Sequence, residues 1–120
     1  MSTVRLVNAV FYAHHGVLQE EHRIGGRYEV DVSMEVDFEE AARADDLDGT
    51  VDYGAIYDLV EAIVTENQFY LIERLAYLIA EKVLSEHARV DAVEVTVRKP
   101  NPPVGGTADR AEVTFRQDRG

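Results

Sequence analysis

A strict alternation of apolar and polar residues over 28–38 constrains the fold more than any other feature of the sequence. The apolar positions are Tyr28, Val30, Val32, Met34, Val36 and Phe38. Glu, Asp or Ser occupies every position between them. A period of two over this length predicts a long β-strand with one buried face and one wet face. Because parallel strands are usually covered on both faces, the pattern predicts an antiparallel sheet.

Three further segments have weaker strand patterns. Residues 3–12 are apolar and rich in β-formers, and Val93, Val95 and Val97 mark another strand. Residues 111–116 alternate apolar with polar side chains. The segments 13–27 and 39–52 are polar and are predicted as connections, the second with at most one short helical turn.

Two segments in the middle of the chain have helical spacing. One helix is predicted from about residue 53 to a break at 66–68, with Asp52 as its N-cap, and a second from about 70 to 87. The predicted order is therefore β-β-α-α-β-β. It indicates an α+β fold, with a four-stranded antiparallel sheet and two helices packed on one face.

Length, cysteine count and charge exclude several classes of protein. The chain has 120 residues, which predicts a single domain over 1–120. It has no cysteine, which excludes disulfides and thiolate metal sites and fits a cytoplasmic protein. A net charge of −11 repels phosphate backbones and anionic lipid, so no nucleic-acid or membrane partner is expected. The N-terminus lacks the pattern of a signal peptide.

Lys99 is one of two lysines in the chain and ends a predicted strand just before the three prolines, Pro100, Pro102 and Pro103. Its side chain is expected on the same face of that strand as Val93, Val95 and Val97. Most lysines in such a place only extend their charge into water. Alternatively, partial burial lowers the pKa of the ammonium, so that it can exchange protons at a site.

Several acidic and aromatic side chains have two interpretations as well. Glu20 and Glu21 lie in a loop, where carboxylates are usually solvated. Tyr53 starts a helix and could simply pack there. Glu73 lies near the start of the second helix, where the helix dipole favours an anion. It could be a first-turn carboxylate, or it could bind two adjacent N–H groups of an amidine-like ligand.

The histidines do not form a metal-binding pattern. His14 and His15 are adjacent, so in an extended segment they point to opposite sides. His22 and His87 have no partner at ligand spacing and are predicted to lie on the surface. We therefore expect no metal site.

Five segments resemble dihydroneopterin aldolase, an enzyme of folate biosynthesis, in the same order and spacing. They are FYAHHGVLQEE, IGGRYEVDV, TVDYG, LIERLA and VRKPNPP. The resemblance covers roughly residues 3–116. It implies the tunnelling fold (T-fold), in which subunits join their sheets into a ring around a pore, and two tetrameric rings stack as an octamer in most members. The polar face of the sheet would then line the pore.

The resemblance also implies a reaction. Members of this family cleave 7,8-dihydroneopterin into 6-hydroxymethyl-7,8-dihydropterin and glycolaldehyde, and many epimerise the side chain at C2′. The pterin ring itself accepts the electrons, so the resemblance implies neither a cofactor nor a metal.

The family's site residues have counterparts here. Lys99 matches the catalytic lysine, and Glu21, rather than its neighbour Glu20, matches a carboxylate that contacts the substrate and takes part in catalysis. Tyr53 matches a tyrosine that comes from an adjacent subunit, where it contacts the pterin or protonates the enol intermediate. Glu73 matches the carboxylate that binds the pterin, with the backbone of Ile72 beside it.

Two alternative functions remain open at this stage. A related epimerase acts on dihydroneopterin triphosphate, although a triphosphate would favour basic residues around the mouth of the pocket and this chain is strongly acidic. A catalytically silent, oligomeric pterin-binding protein is the other alternative, and the presence of all four matching side chains argues against it.

Overall fold

The computed structural model describes residues 1–120, and its centre is one four-stranded antiparallel sheet. The strands are β1 (Thr3–Ala13), β2 (Gly26–Val36), β3 (Val90–Pro100) and β4 (Arg110–Asp118), and they lie side by side in that order. The predicted antiparallel sheet is thus confirmed. Each strand pairs with the next one along the chain, which leaves β1 and β4 as the two edges.

Two long helices cover one face of the sheet, as predicted. They are α3 (Tyr53–Thr65) and α4 (Ile72–Glu86). Helix α3 packs on β1, whereas α4 packs on β3 and β4. The predicted N-cap of α3 is confirmed, because the Gly54 N–H donates to Asp52 Oδ1 at 2.9 Å. None of the helices has the length and apolar character needed to span a membrane.

Two short helices, α1 (Gln19–Ile24) and α2 (Glu39–Ala44), lie in segments that the sequence pattern predicts as connections. A single 3₁₀ turn, Leu47–Gly49, follows α2. Helix α1 buries none of its residues, so it has no apolar stripe that would reveal it in the sequence. The element order is therefore β-α-β-α-α-α-β-β, in which α1 and α2 are additions to the predicted framework.

The alternation in β2 produces the core, as expected. Its apolar side chains face the helices, and all five from Tyr28 to Val36 are at most 1% exposed. The strand begins at Gly26 and ends at Val36, so both of its ends lie two residues earlier than predicted. Phe38 continues the alternation in sequence, but its backbone leaves the strand and forms the N-cap of α2.

The other face of the sheet carries an ion network centred on Arg98. Its guanidinium binds Asp31 with two hydrogen bonds of 2.6 and 2.8 Å, and its Nε lies 3.3 Å from Glu29 Oε1. Asn8, at a bulge in β1 with φ +56°, joins the network through its N–H, which donates to Asp31 Oδ1 at 2.7 Å. The polar face predicted from the alternation is thus present, and Arg98 pairs there with Glu29 and Asp31.

Candidate active site

Lys99 lies near the end of β3, beside the start of β2. Its side chain is 17% exposed, and its Nζ contacts the Glu21 carboxylate. The ring centroid of Tyr28, the first core residue of β2, lies 5.9 Å from Nζ. The strand holds the backbone of Lys99 through its pairing with Ala111, and Pro100 follows as the last residue of β3. The lysine is therefore a half-buried charge with a defined partner.

Helix α1 aims Glu21 at this lysine. The Glu21 side chain is 14% exposed, and its Oε1 accepts the Leu18 N–H at 3.2 Å, which caps the start of α1. Glu20 faces outward instead and pairs with Arg23 at 2.6 Å on the exposed side of the helix. Of the two adjacent glutamates, only Glu21 contacts Lys99.

Gly16 makes room for the Glu21 carboxylate. A Cβ built on Gly16 would overlap that carboxylate, and the φ angle of Gly16, +143°, lies in a region that favours glycine. Any side chain at position 16 would therefore both strain the backbone and push Glu21 away from Lys99.

The ammonium of Lys99 experiences two opposing effects. Burial lowers its pKa from the ordinary value, because the protein replaces the water that stabilises the charge. The Glu21 carboxylate in contact with it acts in the other direction, since a neighbouring negative charge favours the protonated form. Such a pair can hold a proton and release it to a nearby group at a pH where an exposed lysine would not.

Replacing Glu21 with glutamine should shift the pH dependence of this site. Removal of the carboxylate charge disfavours the ammonium, so the pKa of Lys99 should fall further. The limb of the pH–activity profile that reports Lys99 should then move to lower pH. Glu20→Gln is the matched control, because Glu20 pairs with Arg23 and should leave the profile in place. An unchanged profile in Glu21→Gln would show that the two groups are not coupled.

The N-terminus of α4 provides a second set of polar groups. Helix α4 begins at Ile72, and its N-cap, Leu71, makes no side-chain hydrogen bond to the first turn. Glu73 lies in that first turn and is exposed, while Ile72 packs partly against the core. Free N–H groups and a carboxylate at one helix end can recognise a ligand edge that has both donors and acceptors.

A continuous chain of contacts joins this helix end to the lysine. The Gly16 N–H donates to the Phe69 carbonyl at 3.0 Å, three residues before α4 begins. Gly16 in turn packs against Glu21, which contacts Lys99. The structure therefore brings Lys99, Glu21 and the start of α4 to the same end of the sheet.

Tyr53 is not part of this cluster within one chain. It starts α3 and is 63% exposed. Val64, on the last turn of α3, lies at the site end, because its carbonyl bonds the His15 ring at 2.7 Å. Val64 is eleven residue steps after Tyr53, which places the two about 17 Å apart along the helix axis. The Tyr53 backbone therefore lies at the end of α3 far from Lys99.

Two histidines near the site have more contacts than their sequence pattern indicates. His22, predicted to lie on the surface, is half-buried, and its Nε2 lies 2.6 Å from the Gly16 carbonyl. His15 is completely buried. The only sequence signal for His15 is its position between a strand of apolar residues and Gly16, which does not distinguish it from His14.

A family model described as dihydroneopterin aldolase matches residues 4–116. Among curated proteins, dihydroneopterin aldolase of Streptococcus pyogenes serotype M6 is 38% identical over 119 residues, covering 99% of this chain and all of the relative.

Solved structures give the same result. The structure of Escherichia coli dihydroneopterin aldolase in complex with neopterin has a TM-score of 0.89 and 26% identity, covering 98% of this chain and 99% of that one. A Burkholderia dihydroneopterin aldolase bound to guanine has a TM-score of 0.81 and 25% identity, covering 99% and 92%. Urate oxidase of Bacillus subtilis, 11% identical with a TM-score of 0.70, shares the fold over 98% of this chain and 46% of its own.

Proposed function

The chain belongs to the dihydroneopterin aldolase family, and we propose that its Lys99–Glu21 pair carries out the family's retro-aldol reaction on 7,8-dihydroneopterin. The products are 6-hydroxymethyl-7,8-dihydropterin and glycolaldehyde, so the protein is an aldehyde-lyase of folate biosynthesis. The observation that carries this proposal is the contact between the half-buried Lys99 and Glu21 at the end of the sheet where α4 begins.

The reaction needs a proton acceptor and an electron sink. The proton of the C2′ hydroxyl leaves, C2′ becomes the aldehyde carbon of glycolaldehyde, and the bond between C1′ and C2′ breaks. Its electrons enter the C=N bond of the pterin ring, which is protonated in the same stage. The resulting enol intermediate is then protonated at C1′ while the ring nitrogen releases its proton and the C=N bond re-forms, so the atoms balance without any further reactant.

Lys99 and Glu21 suit these proton transfers. Burial lowers the pKa of Lys99, which brings its neutral form closer to working pH, and general acid–base catalysis is most efficient near that pH. Lys99 exchanges protons with the substrate, through a water molecule. Glu21 holds the ammonium in place and contacts the substrate hydroxyls. The lysine acts as an acid and base and not as a nucleophile.

Glu73 and the backbone of Ile72 bind the pterin ring. The 2-amino group and the adjacent ring N–H form a planar pair of donors, which a carboxylate accepts with two parallel hydrogen bonds. The helix N-terminus places Glu73 where its negative charge is favoured. Support for a ligand of this shape comes from the relatives solved with neopterin and with guanine.

Glu73→Gln should weaken neopterin binding by roughly 10- to 100-fold, because the glutamine loses one acceptor and the charge of both hydrogen bonds. Glu73 is exposed, so thermal stability should not change appreciably. Glu86→Gln, on the last turn of the same helix, is the control. Titration calorimetry with neopterin provides the measurement, and equal affinities for the two variants would contradict the assignment.

Tyr53 completes the site from an adjacent subunit. A single chain keeps Tyr53 at the far end of α3, while its exposure leaves the ring free to contact a neighbour. The free edges, β1 and β4, can pair between copies of the chain to close a ring. Two such rings of four subunits form an octamer, with a pterin site at each subunit boundary.

The alternatives predict different products. An epimerase acting on dihydroneopterin triphosphate would return an epimer and no glycolaldehyde, and a silent binding protein would return its ligand unchanged. Incubation with dihydroneopterin and, separately, with its triphosphate tests all three functions. Cleavage of the unphosphorylated substrate supports the aldolase. Epimer formation without glycolaldehyde would replace it with the epimerase, and binding of neopterin without turnover would leave only a binding role.

A further inference from the structure

The His15 ring is completely buried at the end of β1 and is held from both sides. The Phe69 N–H donates to its Nδ1 at 2.9 Å, and its Nε2 lies 2.7 Å from the Val64 carbonyl. Because Nδ1 accepts a hydrogen bond, it carries no proton, and Nε2 is the nitrogen that donates to Val64. The ring is therefore a neutral imidazole in one defined tautomer.

Phe69, which His15 holds, is also held by a hydrogen bond from Gly16. Phe69 donates its N–H to His15 and accepts the Gly16 N–H through its carbonyl at 3.0 Å. The Phe69 ring stacks on the His15 ring, with centroids 5.8 Å apart and an angle of 18° between the planes. Tyr28 locks the backbone of His15 in turn, because its hydroxyl donates to the His15 carbonyl at 2.5 Å.

Phe69 is the anchor of the segment that leads into α4. The two residues after it, Tyr70 and Leu71, are 71% and 50% exposed and contribute nothing to the core. The first fully buried residue of the helix is Leu75, two residues beyond Glu73, and before it only Phe69 and Ile72 pack partly against the core. The direction in which the first turn of α4 points therefore depends on how firmly Phe69 is held.

We propose that His15 is a positioning residue that fixes Phe69, and through it the pterin-binding first turn of α4, relative to Lys99 and Glu21. This inference rests on the proposed function for the identity of the ligand. The geometry supports it directly, since His15 and Gly16 are consecutive residues. His15 accepts the Phe69 N–H, while Gly16 donates to the Phe69 carbonyl and makes space for Glu21. The two halves of the site are thus joined through one dipeptide.

The protonation state of His15 agrees with this role. Burial lowers the pKa of His15, which outweighs the opposite effect of the hydrogen bond to the Val64 carbonyl, and the nearby Lys99 ammonium also lowers it. The imidazole therefore stays neutral at physiological pH and keeps Nδ1 available as an acceptor. A protonated ring would present an N–H to the Phe69 N–H and lose that hydrogen bond.

Two substitutions separate the two hydrogen bonds of His15. In His15→Asn the side-chain oxygen can take the place of Nδ1 and still accept from Phe69, whereas the bond to Val64 is lost. In His15→Gln the side-chain amide reaches Val64 in place of Nε2, whereas the Phe69 N–H loses its acceptor. A purely structural histidine would not distinguish these variants beyond their effect on stability.

We expect His15→Gln to raise the Kd for neopterin and the KM for 7,8-dihydroneopterin by about tenfold, with a much smaller change in kcat. His15→Asn should bind close to the wild type. Val90→Ala is the control for loss of stability, since Val90 is fully buried at the other end of β3, about 30 Å from Lys99. Equal binding by both His15 variants, or weakening that follows thermal stability as in Val90→Ala, would overturn the proposal.

Hydrogen exchange tests the same contact without any substitution, in case a His15 variant does not fold. The Phe69 amide should exchange slowly in the free protein, and more slowly when neopterin is bound, because the ligand stabilises the same arrangement. Rapid exchange of this amide in the free protein would overturn the proposal. A wild-type protein that does not bind neopterin would instead refute the proposed function, while the exchange in the free protein would still test the contact.

Discussion

Lys99→Ala is expected to lower kcat for the cleavage of 7,8-dihydroneopterin by about 10²- to 10⁴-fold, the usual contribution of a positioned acid or base. Neopterin binding should remain measurable, because the pterin ring is held by Glu73 and the start of α4. The protein should stay folded, since Lys99 lies at the end of its strand and the core residues beside it are unchanged. Steady-state kinetics together with calorimetry separate the two effects.

The chain offers a matched control for this experiment. Lys82 is the only other lysine; it is 56% exposed and pairs with Glu86 on the surface of α4. Lys82→Ala should therefore have the turnover of the wild type. If Lys99→Ala also retained full turnover, Lys99 would be a structural residue and the mechanism would be wrong.

The second large effect concerns the subunit boundary. Tyr53→Ala and Lys99→Ala should each be nearly inactive alone, but co-expression of the two should restore activity. If each site takes Lys99 from one subunit and Tyr53 from another, random assembly leaves about a quarter of the sites with both side chains intact. Activity of the mixed oligomer, measured against its content of each variant, provides the test.

Lys99→Ala combined with Glu21→Ala is the control pair for this complementation. These two residues contact each other within one chain, so no mixture of the two variants can rebuild the pair at any site. Complementation by Tyr53 but not by Glu21 is the expected result. Absence of recovery in the Tyr53 mixture would contradict a site that is shared between subunits.

The sequence pattern predicted the parts of the fold that depend on repeated burial. The alternation in β2 and the helical spacing in α3 and α4 arise because one face of each element meets the core, and such periodicity is visible without any structure. Helix α1 has no buried face, so its sequence has no apolar periodicity. It depends instead on a backbone cap and on the space at Gly16.

The candidate site, like the fold, could be predicted from the sequence only in part. The sequence motifs predicted Lys99, Glu21 and Glu73 as site residues, and the structure brings these three to one end of the sheet. The motifs did not indicate His15, because its proposed role depends on two long-range hydrogen bonds. Their partners, Val64 and Phe69, are 49 and 54 residues away along the chain. Contacts of that range depend on the complete tertiary fold and leave no local pattern.

The most direct test of the account is the time course of products formed from 7,8-dihydroneopterin by the wild-type protein. The account predicts that glycolaldehyde and 6-hydroxymethyl-7,8-dihydropterin appear in equal amounts, with any epimer as an additional product. It also predicts that Lys99→Ala slows the formation of both by about 10²- to 10⁴-fold. Consumption of the substrate without glycolaldehyde would contradict the proposal that Lys99 and Glu21 form the site of a retro-aldol cleavage.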